Sequence, residues 1–360
     1  MSIDFDSARW ERVRDNYRAW WAGELKRPLI HVTVGGRDPG RPEPSIPQHH
    51  FTAFYDLSVS AEAIVDRWDY DLSRCKFLGD SLPCVWPNFG PGVAAAFMGA
   101  DLFSDSKSSY TVWFHPKEEK EVQDLHLEYQ PGNIWLERVK DICRAAMERW
   151  QGNVQVGMTD LGGNLDIVST FRPSEQLLFD LYDHPEDVKR VTWEEHDLWW
   201  RYFEEINSAL QPINPGYTSW AGIYSEISHY MLQCDFAYMI GPDMFDEFVK
   251  PELAASCRKL GNACYHWDGP GQLAHADSLL AIPELKGVQW VPGTGNPDTR
   301  YWPEVYKKIR DAGKLIYLYG EFDALDVVAE QLGTAEGIVF VTGCNDEQQA
   351  IDLLKRHGAL

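Results

Sequence analysis

The segment CYHWD at positions 264–268 combines a thiol, an imidazole and a carboxylate. Side chains alternate along a β-strand, so His266 and Asp268 would share one face, about 6–7 Å apart along the strand. Both groups bind divalent metal ions, and Cys344 is the candidate third ligand. Three protein ligands with one open position form the arrangement of catalytic zinc. A His–Asp pair that orients a loop, with Cys344 as a packing residue, is the alternative that the local sequence leaves open.

Acidic and aromatic side chains follow several other apolar segments. Asp80 lies between apolar residues just before a proline turn, and Asp160 follows the apolar run at 154–158. These two acids are candidate catalytic groups, and a capping role is the alternative for Asp80. The candidate substrate-binding residues are Trp220, Trp267, Trp290 and Tyr319. Packing within the core is the alternative for the three tryptophans.

The elements that must position these residues recur in a fixed order: a short apolar run, a polar or Gly-rich turn, and an amphipathic helix. This alternation indicates parallel β/α units, because a parallel crossover needs a helix on the face of the sheet. About seven or eight such units predict an α/β fold, a (β/α)8 TIM barrel with an N-terminal helical and irregular extension. In such a barrel the carboxyl ends of the strands converge on one mouth, where the candidate residues would meet.

The predicted organisation is one domain over 1–360, in which residues 1–130 hold the N-terminal extension, the first strand and an irregular insertion. Predicted strands are 28–34, 154–158, 263–267, 287–291, 315–318 and 338–341, with a further short segment at 217–220. Predicted helices are 7–25, 60–70, 91–98, 134–150, 174–182, 185–210, 242–260, 271–281, 302–311, 325–332 and 347–356. No Gly-rich dinucleotide fingerprint follows the first strand, which disfavours a Rossmann fold.

The composition excludes several classes of protein. The 33 Lys+Arg residues against 55 Asp+Glu residues give a formal net charge of −22, and so acidic a surface repels nucleic-acid backbones. The sequence contains no apolar run of about 18 residues, so no transmembrane helix is predicted. The amino terminus also lacks the pattern of a secretory signal. The seven Cys residues include no CxxC pair, which predicts reduced thiols and a cytoplasmic location. We therefore expect neither a nucleic-acid nor a membrane partner.

From about Arg27 onward, the chain resembles the uroporphyrinogen decarboxylase superfamily. The resemblance lies in the order and spacing of short segments: RPLIHVTVGG, FLGDSLP, PGVAAAFMGA, VQVGMTDLGGNLD, DHPEDVKRV, GPDMFDEFVKPEL, YHWDGPG and GIVFVTGCN. The resemblance implies a (β/α)8 barrel with a deep cleft at the carboxyl ends of the strands.

The decarboxylase branch of that superfamily has an arginine-bearing first loop, an early catalytic Asp and a late His. Asp80 matches the early acid, but the first loop offers Arg37 alone, and the late position reads Gly343-Cys344-Asn345. A tetrapyrrole with eight carboxylates needs cationic partners. We therefore expect no useful decarboxylation of uroporphyrinogen.

The corrinoid-dependent methyltransferases form the other branch. In that branch, zinc is held by an HxC pair on one strand and a Cys at the last strand tip, and it activates an acceptor thiol. His266 and Cys344 fall on the first and last of these positions, and Asp268 replaces the middle Cys. A carboxylate is a harder ligand than a thiolate and leaves the metal a stronger Lewis acid.

The sequence therefore predicts a zinc-dependent enzyme that transfers a methyl group between a methylated corrinoid carrier and an acceptor. The expected cofactors are zinc and a corrinoid, the latter carried by a partner protein, and the expected substrate is a small molecule. A decarboxylase of the same superfamily, acting on a substrate other than uroporphyrinogen, is the alternative enzyme. A non-catalytic module that cradles a corrinoid or a tetrapyrrole is a third hypothesis.

Overall fold

The computed structural model describes residues 3–104 and 110–360. Within these residues the strands form one large sheet and two small ones. The strands are β1 (Leu29–Val34), β2 (Lys76–Gly79), β3 (Cys84–Val85), β4 (Asp101–Phe103), β5 (Trp113–His115), β6 (Gln155–Val156), β7 (His229–Gln233), β8 (Asn262–Asp268), β9 (Leu285–Val291), β10 (Leu315–Tyr319) and β11 (Ile338–Cys344).

The large sheet has seven strands in the order β2-β1-β11-β10-β9-β8-β7. All neighbours from β1 to β7 pair in parallel, whereas β2 runs antiparallel to β1. β7 and most of β8 and β9 are buried on both faces, which is typical of parallel sheets covered by helices. The carboxyl ends of β1 and of β7 to β11 therefore lie at one edge of the sheet.

The two small sheets are the parallel pair β3–β6 and the antiparallel pair β4–β5. On the other side of β6, the side chain of Asn214 pairs with the backbone of the strand, as a neighbouring strand would. It accepts a hydrogen bond from the backbone N–H of Val156 and donates one to the carbonyl oxygen of Val156, both at 2.9 Å. Met158 then donates its backbone N–H to Thr218 at 2.9 Å.

No strand ladder among the described residues joins the β3–β6 pair to the large sheet. The segment predicted as a strand at 217–220 forms only an isolated bridge, between Tyr217 and Ser225. The ladders therefore establish an α/β architecture with a seven-stranded, mainly parallel sheet. Closure into a barrel stays a prediction.

Helices alternate with the strands along most of the chain. They are α1 (Ser7–Trp21), α2 (Ala61–Ser73), α3 (Ala94–Phe97), α4 (Ile134–Trp150), α5 (Asn164–Phe171), α6 (Ser174–Asp183), α7 (Pro185–Leu210), α8 (Pro242–Met244), α9 (Lys250–Lys259), α10 (Ala276–Leu280), α11 (Pro303–Asp311), α12 (Ala324–Leu332) and α13 (Glu347–Arg356). A π-helical turn, Phe245–Val249, joins α8 to α9, and 3-10 turns occupy Thr52–Phe54, Asp235–Met239, Pro270–His275 and Thr299–Tyr301.

Local sequence determines where several helices begin. Asp6 accepts the N–H of Arg9 at 2.9 Å before α1, and Asn133 accepts the N–H groups of Trp135 and Leu136 before α4. These side chains pair with N–H groups that have no partner within the helix.

Most predicted elements are confirmed with shifted ends, but five strands and one helix are missing from the prediction. The sequence pattern misses β2, β3, β4, β5, β7 and α5, and it merges α8, the π-helical turn and α9 into one helix at 242–260. Pro251 explains the interruption before α9, because proline has no N–H to donate to the preceding turn. β7, with the sequence HYMLQ, is buried at every position and therefore lacks the two-residue alternation that signals a half-buried strand.

One cluster of buried apolar side chains extends from Ile3 to Ala359. It includes residues from α1, from the irregular region before α4 and from all parts of the large sheet. The N-terminal region thus packs on the same core as the strands. In the described part of the chain, no helix is both long enough and apolar enough to span a membrane.

Asp80 connects α1, β1 and β2 through a buried ion pair. Its side chain is 1% exposed and accepts hydrogen bonds from Arg27 at 2.6 and 2.9 Å, from Asn16 at 2.7 Å and from the N–H of Ile30 at 2.9 Å. Ile30 lies at the amino end of β1. The expectation that Asp80 shares the mouth with Asp160 is therefore corrected, since Asp80 lies at the opposite end of the strand and is fully engaged there.

Replacing Asp80 by Asn should destabilise the fold, because it leaves the enclosed Arg27 guanidinium without its counter-charge. We expect Asp80→Asn to lower the free energy of unfolding by about 3–5 kcal/mol in urea denaturation followed by circular dichroism. Arg18→Gln is the matched control, since it breaks the exposed pair between Arg18 and Glu226 and should cost less than about 1 kcal/mol. Equal losses in the two variants would show that the Asp80 pair has no special structural role.

Candidate active site

β7, β8 and β9 place polar side chains side by side at the carboxyl edge of the large sheet. The parallel register pairs Gln233 with His266 and His266 with Gln289, so the three residues form one row across three strands. The next residues along, Trp267 and Trp290, are also paired and point to the other face of the sheet. We call Gln233, His266 and Gln289 the polar row.

A β-bulge sets this register between β8 and β9. Ala263 pairs with Leu285, but the next residue, Cys264, pairs with Gly287, so Lys286 is an extra residue in β9. Gly287 leaves little room for a side chain, because a Cβ atom there would lie 3.0 Å from the Cys264 sulfur. The bulge advances β9 by one residue and brings Gln289 beside His266.

Asp235, His266 and Asp268 each bring one ligand atom to within 4.8 Å of the others. His266 and Asp268 come from β8, and Asp235 begins the 3-10 turn after β7. The Nε2 atom of His266 lies 4.0 Å from a carboxylate oxygen of Asp268. An imidazole and two carboxylates at this spacing can hold a divalent cation and leave positions open for other ligands.

The imidazole of His266 is held from two sides. Its Nδ1 atom lies 2.6 Å from the side-chain oxygen of the buried Gln289, and its ring packs edge-on against Trp220, with 5.1 Å between ring centroids. When Nδ1 carries the proton and donates a hydrogen bond to Gln289, Nε2 keeps a free lone pair on the side of Asp268. A metal-binding histidine needs this tautomer and this kind of second hydrogen bond.

Asp166 of α5 positions Asp235. The Asp166 carboxylate accepts the backbone N–H groups of Asp235 at 2.8 Å and of Phe236 at 2.7 Å, which fixes the start of the turn. Burial raises the pKa of Asp166, and the charge of Asp235 raises it further. The pKa of Asp235 is also raised, first by lost solvation, with the charge of His266 opposing the shift and that of Asp268 adding to it. Three carboxyl groups, those of Asp166, Asp235 and Asp268, therefore lie together near His266.

Asp160 is hydrogen-bonded to the polar row. Its carboxylate accepts hydrogen bonds from the side chain of Gln233 at 3.0 Å and from the N–H of Gly162 at 3.2 Å. Burial raises the pKa of Asp160 to about 7, opposed by the hydrogen bond from Gly162 and increased by the charge of Asp235. A carboxyl group with this pKa can hold or release a proton near neutral pH.

Cys344 lies outside the cluster of Asp235, His266 and Asp268. It ends β11, and β10 and β9 separate that strand from β8. Its sulfur lies 3.1 Å from the carbonyl oxygen of Asp346. Among the described residues, Asp235 rather than Cys344 supplies the third potential ligand beside His266 and Asp268.

The four predicted substrate-binding aromatic residues divide into two pairs. Trp220 packs on His266, and Tyr319 lines a cleft that also contains Asp268. Trp267 and Trp290 are 1% and 0% exposed, and their rings pack 5.5 Å apart on the face opposite His266. This placement corrects the expectation for Trp267 and Trp290, which pack in the core.

Two clefts meet at Asp268. The larger has a volume of about 750 Å³ and is lined by residues 291–300, which follow β9, and by residues 319–321, which follow β10. The smaller, about 430 Å³, is lined by Asp166, Asp235 and Tyr238 among others. These volumes suit small molecules, and the shared wall at Asp268 would give both clefts access to a bound ion.

Sequence reasoning missed Asp235, Asp166 and the polar partners of His266. Asp235 follows an unrecognised strand, so its position at a strand tip was hidden. The signal that could have found it is the apolar run in HYMLQ followed directly by Cys234 and Asp235. Gln289, in GVQWV, is a polar residue inside an apolar strand, which is a signal for a buried hydrogen-bonding role.

The fold and the site define an α/β protein with an acidic, histidine-containing cleft at the carboxyl edge of a parallel sheet. Among solved structures, the chain is similar to a methyltransferase from Methanosarcina mazei, with a TM-score of 0.60 and 14% sequence identity over 96% of this chain and 97% of that chain. No protein-family profile matches the chain, and no curated protein matches it. At this level of identity the similarity shows a shared fold.

Asp160→Asn should flatten the pH dependence of stability. Because folding raises the pKa of Asp160 to about 7, the folded state holds a proton that the unfolded chain loses near pH 4. This contribution to stability is full below about pH 4 and is lost as the pH rises toward 7. Between about pH 4.5 and 7.5 in EDTA, the free energy of unfolding of wild type should fall more than that of Asp160→Asn.

The control for this comparison is Asp141→Asn on the exposed face of α4, which should keep the wild-type pH profile. Urea denaturation at each pH supplies the free energies. If wild type and Asp160→Asn give parallel profiles, Asp160 does not titrate in this range.

Proposed function

We propose that the protein is an enzyme that transfers a methyl group between a methylated corrinoid carrier and a small-molecule acceptor. The acceptor would bind at a divalent metal ion held by Asp235, His266 and Asp268, and a partner protein would present the corrinoid. The observation that carries the proposal is the convergence of these three side chains at the carboxyl edge of the sheet. The similarity in fold to a methyltransferase supports methyl transfer as the class of reaction.

Zinc fits the donor set on chemical grounds. Imidazole nitrogen and carboxylate oxygen are both zinc ligands, and three protein ligands leave a position for the acceptor. Gln289 supports the tautomer of His266 that zinc needs. Bound zinc would lower the pKa of an acceptor thiol or hydroxyl. We propose Asp235 as the third ligand in place of Cys344, because Asp235 lies with the other two.

The protein's own groups would orient the reactants and move a proton. Asp166 holds the backbone of Asp235, and Gln289 holds the ring of His266. Asp160, hydrogen-bonded to the polar row, would take the proton that the acceptor releases, since its pKa of about 7 suits exchange at neutral pH. Trp220 and Tyr319 would shield the reacting groups from water.

We also infer that the two parallel sheets are arcs of one (β/α)8 barrel in the uroporphyrinogen decarboxylase superfamily, with residues 1–360 as one domain. The backbone bond from Met158 to Thr218 supports this inference, because it extends the β3–β6 pair beyond β6. The shared core and the order of the sequence motifs support it as well. Seven free cysteines, in a fold with no disulfide among the described residues, fit a reducing cytoplasm.

Decarboxylation of a smaller acid is the second candidate function, and Asp160 favours it. A buried acid that is protonated near neutral pH could supply the proton that replaces CO2 on the substrate. Uroporphyrinogen is a poor candidate in either case. Among the described residues lining the two clefts, Arg300 is the single cation, and Asp298 and Asp323 already bind it.

Metal analysis separates the proposed ligands from the ones expected from sequence. Wild-type protein incubated with zinc and desalted should hold about one zinc per chain by elemental analysis. Asp235→Asn, His266→Gln and Asp268→Asn should each hold far less, because two protein ligands rarely retain zinc. Cys344→Ser is the matched control and should keep its zinc.

Two outcomes would contradict this assignment. Loss of zinc in Cys344→Ser, with retention in Asp235→Asn, would restore the ligand set expected from sequence. Wild-type protein without zinc would leave the three residues as a hydrogen-bonded cluster and remove the metal from the proposal.

The reaction can be tested with free methylcobalamin and a panel of thiols. The zinc-loaded wild type should demethylate methylcobalamin in the presence of one of these acceptors, seen as a change in the visible spectrum, and His266→Gln should reduce the rate to background. A parallel assay with uroporphyrinogen should yield no coproporphyrinogen. Release of CO2 from a candidate acid, without any demethylation, would favour the decarboxylase instead.

A further inference from the structure

A second pocket lies at the amino end of β1, away from the polar row. It has a volume of about 420 Å³ and is bounded by α1, the end of β2 and α13. Arg9, Arg12 and Asn16 line it from one face of α1, since positions three and seven residues apart share a helix face. Arg27 completes the basic lining, and we call this the arginine pocket.

The arginine pocket has an excess of positive charge in a chain whose net charge is −22. Three arginine side chains line it against one acidic side chain, that of Asp80. Arg27 and Asn16 already satisfy Asp80. Arg9 donates to the backbone oxygen of Asp4 at 3.0 Å and lies over the ring of Phe5. Neither Arg9 nor Arg12 forms an ion pair with any residue that the structure describes.

The guanidinium groups of Arg9 and Arg12 line the same pocket, and their positive charges repel each other. Burial lowers the pKa of Arg9, and the charge of Arg12 lowers it further, while Asp4 and Asp6 partly compensate. An anion between the two groups would relieve this repulsion. Guanidinium groups bind carboxylate and phosphate oxygens through paired hydrogen bonds, for which Arg is better suited than Lys.

The opposite wall of the arginine pocket is apolar and closely fitted. Leu78, Ile351 and Leu354 line it, and Gly79 packs so tightly that a Cβ atom there would meet the side chain of Leu354 at 2.5 Å. A basic rim with an apolar wall suits a small molecule that has an anionic head and a short apolar part.

We propose that the arginine pocket is a binding site for a small organic oxyanion, a phosphate or a carboxylate, held by Arg9 and Arg12. The ligand oxygens would accept hydrogen bonds from the two guanidinium groups, and any apolar part would contact Leu354. This site is separate from the proposed metal centre, and the proposal does not depend on the methyl-transfer function.

The probes are inorganic phosphate and hexanoate, each added to full-length protein at constant ionic strength with chloride as the reference salt. Thermal unfolding and isothermal titration calorimetry measure binding, because a ligand that binds the native state raises its melting temperature. The double variant Arg9→Gln/Arg12→Gln should weaken binding at least roughly tenfold. Arg144→Gln is the matched control, since it removes one charge at an exposed position of α4.

The outcomes distinguish the ligand classes and the failure of the proposal. Tighter binding of phosphate would identify a phosphate group, and tighter binding of hexanoate would identify the carboxylate of an apolar acid. Binding of neither probe, or equal binding in wild type and the double variant, would overturn the proposal. The zinc content of the double variant should equal that of wild type, so failure here and failure of the metal centre are separable.

Discussion

The register of three parallel strands is the constraint on which the candidate site depends. Neighbouring strands lie about 4.8 Å apart, so residues in one row are within reach of each other's side chains. Gln233, His266 and Gln289 occupy one such row. The side chain of Gln233 donates a hydrogen bond to Asp160, and the ring of His266 is hydrogen-bonded to Gln289. The orientation of the imidazole, the hydrogen bond from Gln233 to Asp160 and the position of Asp268 all follow from this single alignment.

Two aspartates with similar neighbours in the sequence have different surroundings and roles in the fold. Asp80 and Asp160 both follow apolar runs, and neither the type of residue nor its neighbours tells them apart. Asp80 meets a guanidinium and becomes part of the structural framework. Asp160 is buried among neutral donors, and its pKa rises to about 7. The hydrogen-bonding partners, Arg27 of Asp80 and Gln233 of Asp160, are each more than 50 residues away in the sequence.

The sequence predicts the alternation of strands and helices, the shared face of His266 and Asp268 and the burial of long helical stripes such as that of α4. These properties depend on neighbours within one element. It does not predict Asp235 as a partner of His266, because that contact depends on pairing between β7 and β8. Nor does it separate Tyr319, which lines a cleft, from Trp290, which is packed in the core, since both aromatic residues lie near strand ends.

The bulge at Lys286 separates the register of the site from the register at the start of β9. If the strands paired without a bulge from Ala263 and Leu285 onward, Cys264 would face Lys286, and His266 would face Val288 in place of Gln289. The imidazole would then lose its acceptor, and the amide of Gln289 would turn to the opposite face of the sheet. Removing Lys286 itself would leave Gln289 beside His266, because Gly287 would then follow Leu285 directly. A loss of one residue at this exposed position is therefore a change in chain length that the polar row can absorb.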